Sequence, residues 1–203
     1  MNQLYLYPLW LRLWHWLNAA LFLVLIATGV SLHYAGPGWL IPFSSAVPVH
    51  NTAGILLTLS WLLFVIVNPR SSNARHYRLQ LRTLPGELWR QLHYYLHGIF
   101  TDAPHPFNVS ARRKLNALQQ LSYWGALVGL MPILILSGWG FLLSPWLPAT
   151  LFGVGTIWLV AIAHLASSWL LVLFVIVHLY MITTGATPWS NLHAMLTGWH
   201  TEP

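Results

Sequence analysis

Long apolar blocks separated by short polar or turn-forming segments dominate the pattern of this chain. Four blocks each approach or exceed the roughly 20 residues that a helix needs to cross a bilayer. They occupy about residues 13–34, 50–67, 118–143 and 156–184. Because lipid offers no hydrogen bonds to the backbone, each block is predicted to be a helix. The pattern therefore predicts an all-α membrane protein, a four-transmembrane-helix bundle formed as one domain by residues 1–203.

Turn-forming residues mark the ends of these blocks. They are Gly36, Pro37, Gly38, Pro42 and Pro48 after the first block, Asn68 and Pro69 after the second, and Pro145 and Pro148 after the third. The connection between the second and third blocks is long for a compact protein, which indicates structure of its own. Within it, residues 84–99 have the pattern of a short amphipathic helix on the membrane surface.

Composition and charge agree with a lipid environment and predict an orientation. The chain is 57% hydrophobic and 6% charged, against roughly 25% charged residues in soluble domains. Residues 13–69 and 115–201 contain no Asp, Glu, Lys or Arg. Arg12 precedes the first helix, and all other basic residues lie within 70–114, so that side is predicted to be cytoplasmic. We therefore expect a multi-pass membrane protein with both termini in the cytoplasm.

The absence of cysteine restricts the redox chemistry of the chain. It excludes covalent c-type haem attachment, thiolate ligation of iron–sulfur clusters and disulfides. Any redox centre must use His or Met. The net charge of +6 is explained by the basic residues that set the topology, so nucleic acid is not an expected partner.

Four of the eleven histidines are placed to reach the interior of a helical bundle. His15 lies at the cytoplasmic end of the first helix and His50 at the outer end of the second. His164 and His178 share the fourth helix, fourteen positions apart. That spacing corresponds to a rise of about 21 Å and comes within about 40° of whole turns. Both imidazoles therefore face the same way at different depths.

The topology pairs these histidines by depth. His50 and His164 belong to the outer half of the membrane, and His15 and His178 belong to the inner half. Haem iron accepts two neutral imidazoles in this way. The four residues therefore predict two bis-histidine b-haem sites, one in each leaflet.

Other interpretations of these four histidines stay open. A single intramembrane His can be a packing residue that is hydrogen-bonded to Ser, Thr or a carbonyl. A zinc site would need a compact tetrahedral cluster, which two depth-separated pairs do not supply. The haem interpretation has room for a flat macrocycle at Gly54, one turn after His50, and at Gly29 beside Thr28.

The remaining seven histidines carry weaker hypotheses. His33, at the outer end of the first helix, is expected to be interfacial. His93 and His97 are one turn apart on the surface helix, which permits metal binding, but solvation or partner contact is favoured. Solvation is expected for the four histidines of polar ends and loops, which are His76, His105, His193 and His200.

Several motifs follow one another along the chain. They are Arg12-Leu13-Trp14-His15-Trp16-Leu17-Asn18 with Thr28-Gly29, His50-x-x-x-Gly54, His178-Leu179-Tyr180 with Thr184-Gly185, and His193-Ala194-Met195-Leu196-Thr197-Gly198. Together they resemble the bacterial membrane cytochromes b of the thiosulfate reductase, formate dehydrogenase gamma and NiFe-hydrogenase type. The segment Pro104-His105-Pro106-Phe107 is similar to the thiosulfate-reductase branch. The resemblance covers nearly the whole chain.

This resemblance implies a four-helix membrane bundle with two b haems. The implied iron ligands are His15 and His178 for the inner haem, and His50 and His164 for the outer haem, which matches the pairing by depth. Arg12 is a candidate partner for an inner haem propionate. The outer side offers no Lys or Arg, so the outer propionates would need donors such as Tyr34, Trp39 or residues of a partner subunit.

The resemblance further implies respiratory electron transfer between the quinone pool and a partner redox subunit of an oxidoreductase complex. That partner would carry iron–sulfur, molybdopterin or multihaem groups and perform the substrate chemistry. Quinone is expected near the inner haem, where the polar candidates are Asn18, Asn116, Gln120 and Tyr180. Such residues at helix ends are also common as caps and interface contacts.

Two alternatives stay open, one within the redox class and one from another functional class. A stand-alone cytochrome of the bacterial b561 type, similar in its first and last helices, would react directly with quinone and a small oxidant. A haem-free transporter or proton channel would use the intramembrane histidines as a proton relay. The absence of intramembrane carboxylates weighs against the transporter.

Overall fold

The computed structural model describes residues 3–34, 41–101, 103–104, 106–185 and 187–201. The helices are α1 (Leu9–Tyr34), α2 (Phe43–Val67), α3 (Leu84–Leu96), α4 (Ala117–Trp124), α5 (Met131–Leu142), α6 (Thr156–Ile182) and α7 (Ser190–Thr197). The strands are β1 (Gln3–Tyr5), β2 (Thr150–Leu151), β3 (Val154–Gly155) and β4 (Trp199–Thr201). Strand β1 pairs antiparallel with β4, and β2 with β3.

The predicted fold class is confirmed. Within the described residues, four helices are long and apolar enough to cross a membrane, namely Leu9–Tyr34, Phe43–Arg70, Ala117–Leu142 and Thr156–Ile182. The third consists of α4 and α5 joined by a π-helical turn at Gly125–Leu130. Pro132, which has no backbone N–H, follows this turn and explains why regular α-helical bonding is interrupted there.

The second membrane helix begins earlier than the sequence pattern predicts. Pro48 was expected in the connection before the helix, but it lies inside α2, which starts at Phe43. The N–H groups of Ser45 and Ala46 donate to the Pro42 carbonyl at 3.0 and 2.9 Å and form the first turn ahead of Pro48. A proline close to a helix N-terminus sacrifices few backbone bonds. His50 is consequently a helical residue well inside α2.

The buried residues of α1 and α2 recur at regular intervals, and half of them are small. The buried residues of α1 are Leu11, Asn18, Leu21, Thr28 and Ser31, and those of α2 are Ala46, Ala53, Leu57, Ser60 and Phe64. Both sets repeat at intervals of three, four or seven residues, as in a coiled-coil seam. Small residues let helix backbones approach closely in lipid, where apolar burial alone gives little attraction.

Large apolar side chains cover the outward faces of the membrane helices. Leu23 is 65% exposed and Leu136 is 71% exposed, with many similar residues on α2 and α6. A soluble protein rarely exposes contiguous apolar surface of this extent. These faces are suited to contact with lipid tails.

The predicted amphipathic helix in the long connection is confirmed as α3. Its Gln91 is buried, whereas Trp89 and Leu96 are each 69% exposed. Leu81 and Phe100, on either side of the helix, are also exposed. The position of α3 on a membrane surface stays a prediction.

The chain divides into two compact units. The bundle unit comprises the described residues of Leu9–Ile66 and Leu130–Val175. The terminal unit comprises those of Met1–Pro8, Val67–Gly129 and Ile176–Pro203.

Within the terminal unit, the two ends of the chain meet at strands that the sequence pattern did not predict. Strand β1 pairs with β4, and the N–H groups of Leu6 and Tyr7 donate to the Gly198 carbonyl at 3.0 and 3.2 Å. Gly198 ends α7 with a φ of 92°, in the left-handed region that favours glycine. The left-handed turn at the end of α7 therefore explains the glycine that closes the motif beginning at His193.

Candidate functional site

Two of the candidate histidines meet in the bundle unit. The imidazole of His50 on α2 and that of His164 on α6 have ring centroids 6.3 Å apart, with planes inclined at 70°. The Phe141 ring on α5 lies 5.6 Å from the His164 ring, nearly perpendicular to it. Three helices thus contribute aromatic rings to one location.

A hydroxyl from a neighbouring helix contacts each of these imidazoles. Thr28 Oγ1 on α1 lies 2.9 Å from His50 Nδ1, and Ser137 Oγ on α5 lies 3.1 Å from His164 Nδ1. The Nε2 atoms remain as the nitrogens for a metal. Metal-binding histidines commonly have their other ring nitrogen fixed by a hydrogen bond in this manner.

Glycines lie beside the same rings. A Cβ atom added at Gly29 or at Gly138 would come 3.5 Å from the Cε1 atom of His50 or His164, respectively. Gly29 was expected to leave room for a macrocycle, and instead it adjoins the His50 imidazole. At Gly54 no atom lies within 4 Å of such a Cβ, so that position has the open space that a flat group would need.

The His50–His164 geometry fits a bis-histidine haem. Two imidazoles bound on opposite sides of one iron, with nitrogens about 2 Å from the metal, place their ring centroids about 6 Å apart. The observed 6.3 Å agrees with this separation. Among the described residues no group of three or more His, Cys, Asp or Glu could hold a metal ion, which disfavours a zinc cluster.

The other two candidate ligands lie in different units. His15 belongs to α1 within the bundle unit, and its ring meets the edge of Trp16 at a centroid distance of 5.2 Å. His178 belongs to the part of α6 that lies in the terminal unit, with its ring centroid 6.4 Å from that of Tyr123. The pairing of His15 with His178 stays a prediction.

The quinone candidates have different surroundings. Asn18 donates to the Trp14 carbonyl and to Ser60 Oγ at 2.6 and 2.7 Å, so its amide joins α1 to α2. Tyr180 is 54% exposed on α6. Helix packing explains the position of Asn18, and Tyr180 lies on the exposed surface of α6.

Asn116 and Gln120 lie one turn apart at the start of α4. Asn116 caps this helix by accepting from the Gln119 N–H at 2.9 Å, and it donates to the Tyr95 hydroxyl at 3.2 Å. Gln120 donates to the His76 carbonyl at 2.8 Å, while its buried Oε1 has no hydrogen-bond partner in the part of the chain that the structure describes.

Asn116 also lines a cavity of about 90 Å³ in the terminal unit. Gln91 lines the same cavity, and its buried Nε2 has no partner among the described residues. Arg113 contributes to the lining while it forms an ion pair with Glu87. Gln91 was not among the predicted site residues, because a glutamine inside an amphipathic helix carries no local signal of burial.

The basic residues near the predicted inner site have varied roles. Arg12 is a half-buried residue of the first turn of α1. Arg113 pairs with Glu87, and the buried Lys114 donates to Asn73 and, at 3.4 Å, to the Leu6 carbonyl.

Tyr34 is exposed at the end of α1 and contacts the His33 ring. His33, His93, His97 and His193 are exposed, as expected. Trp39 and His105 lie outside the described residues.

The expectation that His76 is solvated was wrong. This side chain is only 4% exposed, and its Nδ1 accepts a hydrogen bond from the Lys114 backbone N–H at 3.3 Å. Burial, together with the cations Lys114 and Arg75, lowers the pKa of His76 to about 4. Burial also lowers the pKa of Lys114 to about 8. The Lys114 backbone contacts the imidazole and Gln120 binds the His76 carbonyl, so residues distant in the sequence surround His76.

The buried His76 predicts a pH-dependent stability of the terminal unit. Its folded pKa, about 4, is below the ordinary value of 6.5, so the unfolded chain binds the proton more readily. Stability is therefore present above pH 6.5 and is lost as the pH falls toward 4. Between about pH 7 and about pH 5 the loss is about 2 kcal/mol. Thermal unfolding in detergent measures it. A His76→Gln variant should lose less stability over this interval, and an equal loss in both proteins would contradict the assignment.

The sequence is similar to known proteins over almost its whole length. The sequence profile of the family described as prokaryotic cytochrome b561 matches residues 6–198. A protein of Escherichia coli (strain K12) with the provisional name cytochrome YdhU is 37% identical over 199 residues. The match covers 98% of this chain and 75% of that protein.

Proposed function

The chain belongs to the prokaryotic cytochrome b561 family, and on this premise we propose that it is a dihaem b-type subunit that transfers electrons across the membrane between the quinone pool and a partner redox subunit. It is a multi-pass membrane cytochrome of the b type from a bacterial family. The observation that carries the proposal is the His50–His164 pair, whose ring separation suits the two faces of one iron. A bound haem would supply one-electron transfer at its iron.

The outer haem is assigned to His50 and His164. Each Nδ1 contacts a hydroxyl, which leaves Nε2 for the iron. The open space at Gly54, one turn from His50, suits the approach of a planar group.

The inner haem is assigned to His15 and His178, with Arg12 as a propionate partner. The support for this pair comes from the fourteen-residue spacing on α6 and from the motifs around each residue. Arg12 precedes His15 by one helical turn, a position from which a guanidinium could bind a carboxylate of the same cofactor.

Quinone is assigned to the cavity that Asn116 and Gln91 line. The Asn116 side chain donates to the Tyr95 hydroxyl at 3.2 Å, which orients its amide. The buried Gln91 Nε2 is a donor suited to a quinone carbonyl, because burying a donor without a partner is costly. Gln120, Asn18 and Tyr180 are weaker candidates, since contacts or exposure already account for most of their polar groups.

The Gln91→Leu variant tests this quinone site. We expect the KM for quinol to rise about tenfold, equivalent to one lost hydrogen bond in a buried site. Thermal stability should be unchanged or higher, because an unpaired buried donor is removed. The measurement is the rate of cytochrome reduction by added quinol in vesicles. The exposed Gln80→Leu is the control. An unchanged KM would contradict the site, and reduction by dithionite alone in the unaltered chain would contradict the quinone link.

The proposed location is the bacterial inner membrane, with both termini cytoplasmic. The confinement of Lys and Arg to Arg12 and to residues 70–114 supports this orientation. The lack of Lys and Arg on the outer side supports an obligate partner subunit that would contact the outer haem edge beside groups such as Tyr34. Iron–sulfur, molybdopterin and multihaem proteins are the classes of partner expected.

A stand-alone b561-type cytochrome is the second candidate, favoured by the description of the family itself. It would keep the same haem ligands and the same quinone reaction, and would pass electrons directly to a small oxidant. Purification under mild detergent separates the two: a stoichiometric redox partner supports the subunit, and a monodisperse chain that a small oxidant reoxidises rapidly supports the stand-alone protein.

A further inference from the structure

At the outer histidine site, each of the two imidazoles contacts the same pair of residue types, a hydroxyl residue followed by a glycine. A hydroxyl residue followed by glycine precedes each ligand helix: Thr28-Gly29 on α1 adjoins His50, and Ser137-Gly138 on α5 adjoins His164. The distances from an added glycine Cβ are the same in both cases, 3.5 Å to Cε1 and 3.9 Å to Nδ1. Helix α1 thus contacts His50 of α2 in the same way as helix α5 contacts His164 of α6.

The hydrogen bonds of the two hydroxyls determine which ring nitrogen carries the proton. Thr28 Oγ1 donates to the Val24 carbonyl at 2.7 Å, and Ser137 Oγ donates to the Ile133 carbonyl at 2.7 Å. A hydroxyl has one proton to donate, so each oxygen can only accept from the imidazole. Both rings are therefore held as Nδ1–H tautomers, with the lone pair on Nε2.

Each imidazole packs directly against its supporting helix at a glycine. A Cβ atom added at Gly29 or Gly138 would make an ordinary van der Waals contact of 3.5 Å with the ring, while Nδ1 of the ring reaches the neighbouring hydroxyl. The hydroxyl sets the rotation of the ring about its long axis. Together the two supports hold the planes crossed at 70°.

We propose that Thr28 and Ser137 are paired positioning residues that fix the crossed orientation and the electron donation of the outer haem ligands. The inference rests on the proposed haem function and deepens it. An acceptor at Nδ1–H gives the imidazole partial imidazolate character, which strengthens donation from Nε2 and favours ferric over ferrous iron. Crossed ligand planes also leave the iron orbitals of π symmetry nearly equal in energy, which makes the ferric low-spin EPR signal strongly anisotropic.

The test compares Thr28→Val, which keeps the shape and removes the hydroxyl, with Thr28→Ser, which keeps the hydroxyl. Ser137→Ala and Ser137→Thr form the matching pair on the other ligand. In the Val and Ala variants we expect the ferrous-to-ferric ratio of the outer haem, at a fixed ambient potential, to rise about fivefold, as expected for one hydrogen bond. The EPR signal should become less anisotropic as the ring turns. The Thr28→Ser and Ser137→Thr variants should retain both properties.

Ser31→Ala is the matched control. Ser31 is buried on α1, and its hydroxyl donates to the Ala27 carbonyl at 3.1 Å in the same kind of bond as that of Thr28. In the Ser31→Ala variant, the potential and the EPR signal of the outer haem should equal those of the unaltered chain.

The outcomes separate this inference from the proposed function. Loss of the outer haem in Thr28→Val but not in Thr28→Ser would support the inference, because the first variant removes the hydroxyl and the second keeps it. Unchanged potential and EPR signal in both Val and Ala variants, with two haems bound, would overturn it and leave the dihaem function intact. A chain that binds no haem would overturn the proposed function itself.

Discussion

The His164→Ala variant is expected to bind one haem per chain where the unaltered chain binds two. His164 is the residue of α6 whose ring lies opposite that of His50 at 6.3 Å, and alanine removes one of the two axial nitrogens. The His50→Ala variant should give the same result, since a bis-histidine site needs both ligands. A pyridine haemochrome assay on the purified protein measures the loss.

The control for this experiment is His33→Ala, an exposed histidine of α1 whose ring contacts Tyr34. It should retain both haems. The ligand assignment would be wrong if His164→Ala kept two low-spin haems, or if His50→Ala and His164→Ala removed different haems.

The Gly198→Ala variant is expected to release the chain ends from each other. An added Cβ would lie 2.8 Å from the Tyr7 carbonyl oxygen and 2.6 Å from Tyr5 Cε2, and the φ of 92° is unfavourable for alanine. Strain of this kind costs about 1–3 kcal/mol before the steric clash is added. The Gly198 carbonyl accepts from both Leu6 and Tyr7, so any shift also weakens these bonds.

Amide hydrogen exchange of β1 and β4 measures this effect directly. Protection in both strands should fall by about a hundredfold, which corresponds to about 3 kcal/mol. Gly86→Ala is the matched control, because it lies in a helix and no atom comes within 4 Å of its added Cβ. Unchanged protection in Gly198→Ala would show that the contact between the chain ends does not depend on this residue.

The membrane helices could be predicted because their signal is local. In lipid, a helix is the stable conformation of a block of about 20 uncharged apolar residues. The start of α2 could not be predicted in the same way. A proline usually indicates a boundary, whereas Pro48 lies so near the helix N-terminus that little bonding is lost.

The residues that were missed depend on contacts between distant parts of the chain. His76 stands among polar and basic neighbours in the sequence, whereas its contacts with the distant Lys114 and Gln120 appear only in the folded chain. Strands β1 and β4 are the first and last three residues of the described chain, and such short segments carry no detectable periodicity.

The candidate site was accessible to sequence reasoning in part. Helical spacing and topology led to the pairing of His50 with His164, which the structure brings together. The role of Ser137-Gly138 was missed, although its similarity to Thr28-Gly29 is visible in the sequence. A hydroxyl residue followed by glycine, in the helix before each outer histidine, is the signal that could have identified it.

The most direct test of the central claim is the haem content of the purified, unaltered chain, measured by the pyridine haemochrome assay together with a reduced-minus-oxidised visible spectrum. The account predicts two low-spin b haems per chain. A colourless protein would contradict it and would favour the histidine proton relay of a haem-free transporter instead.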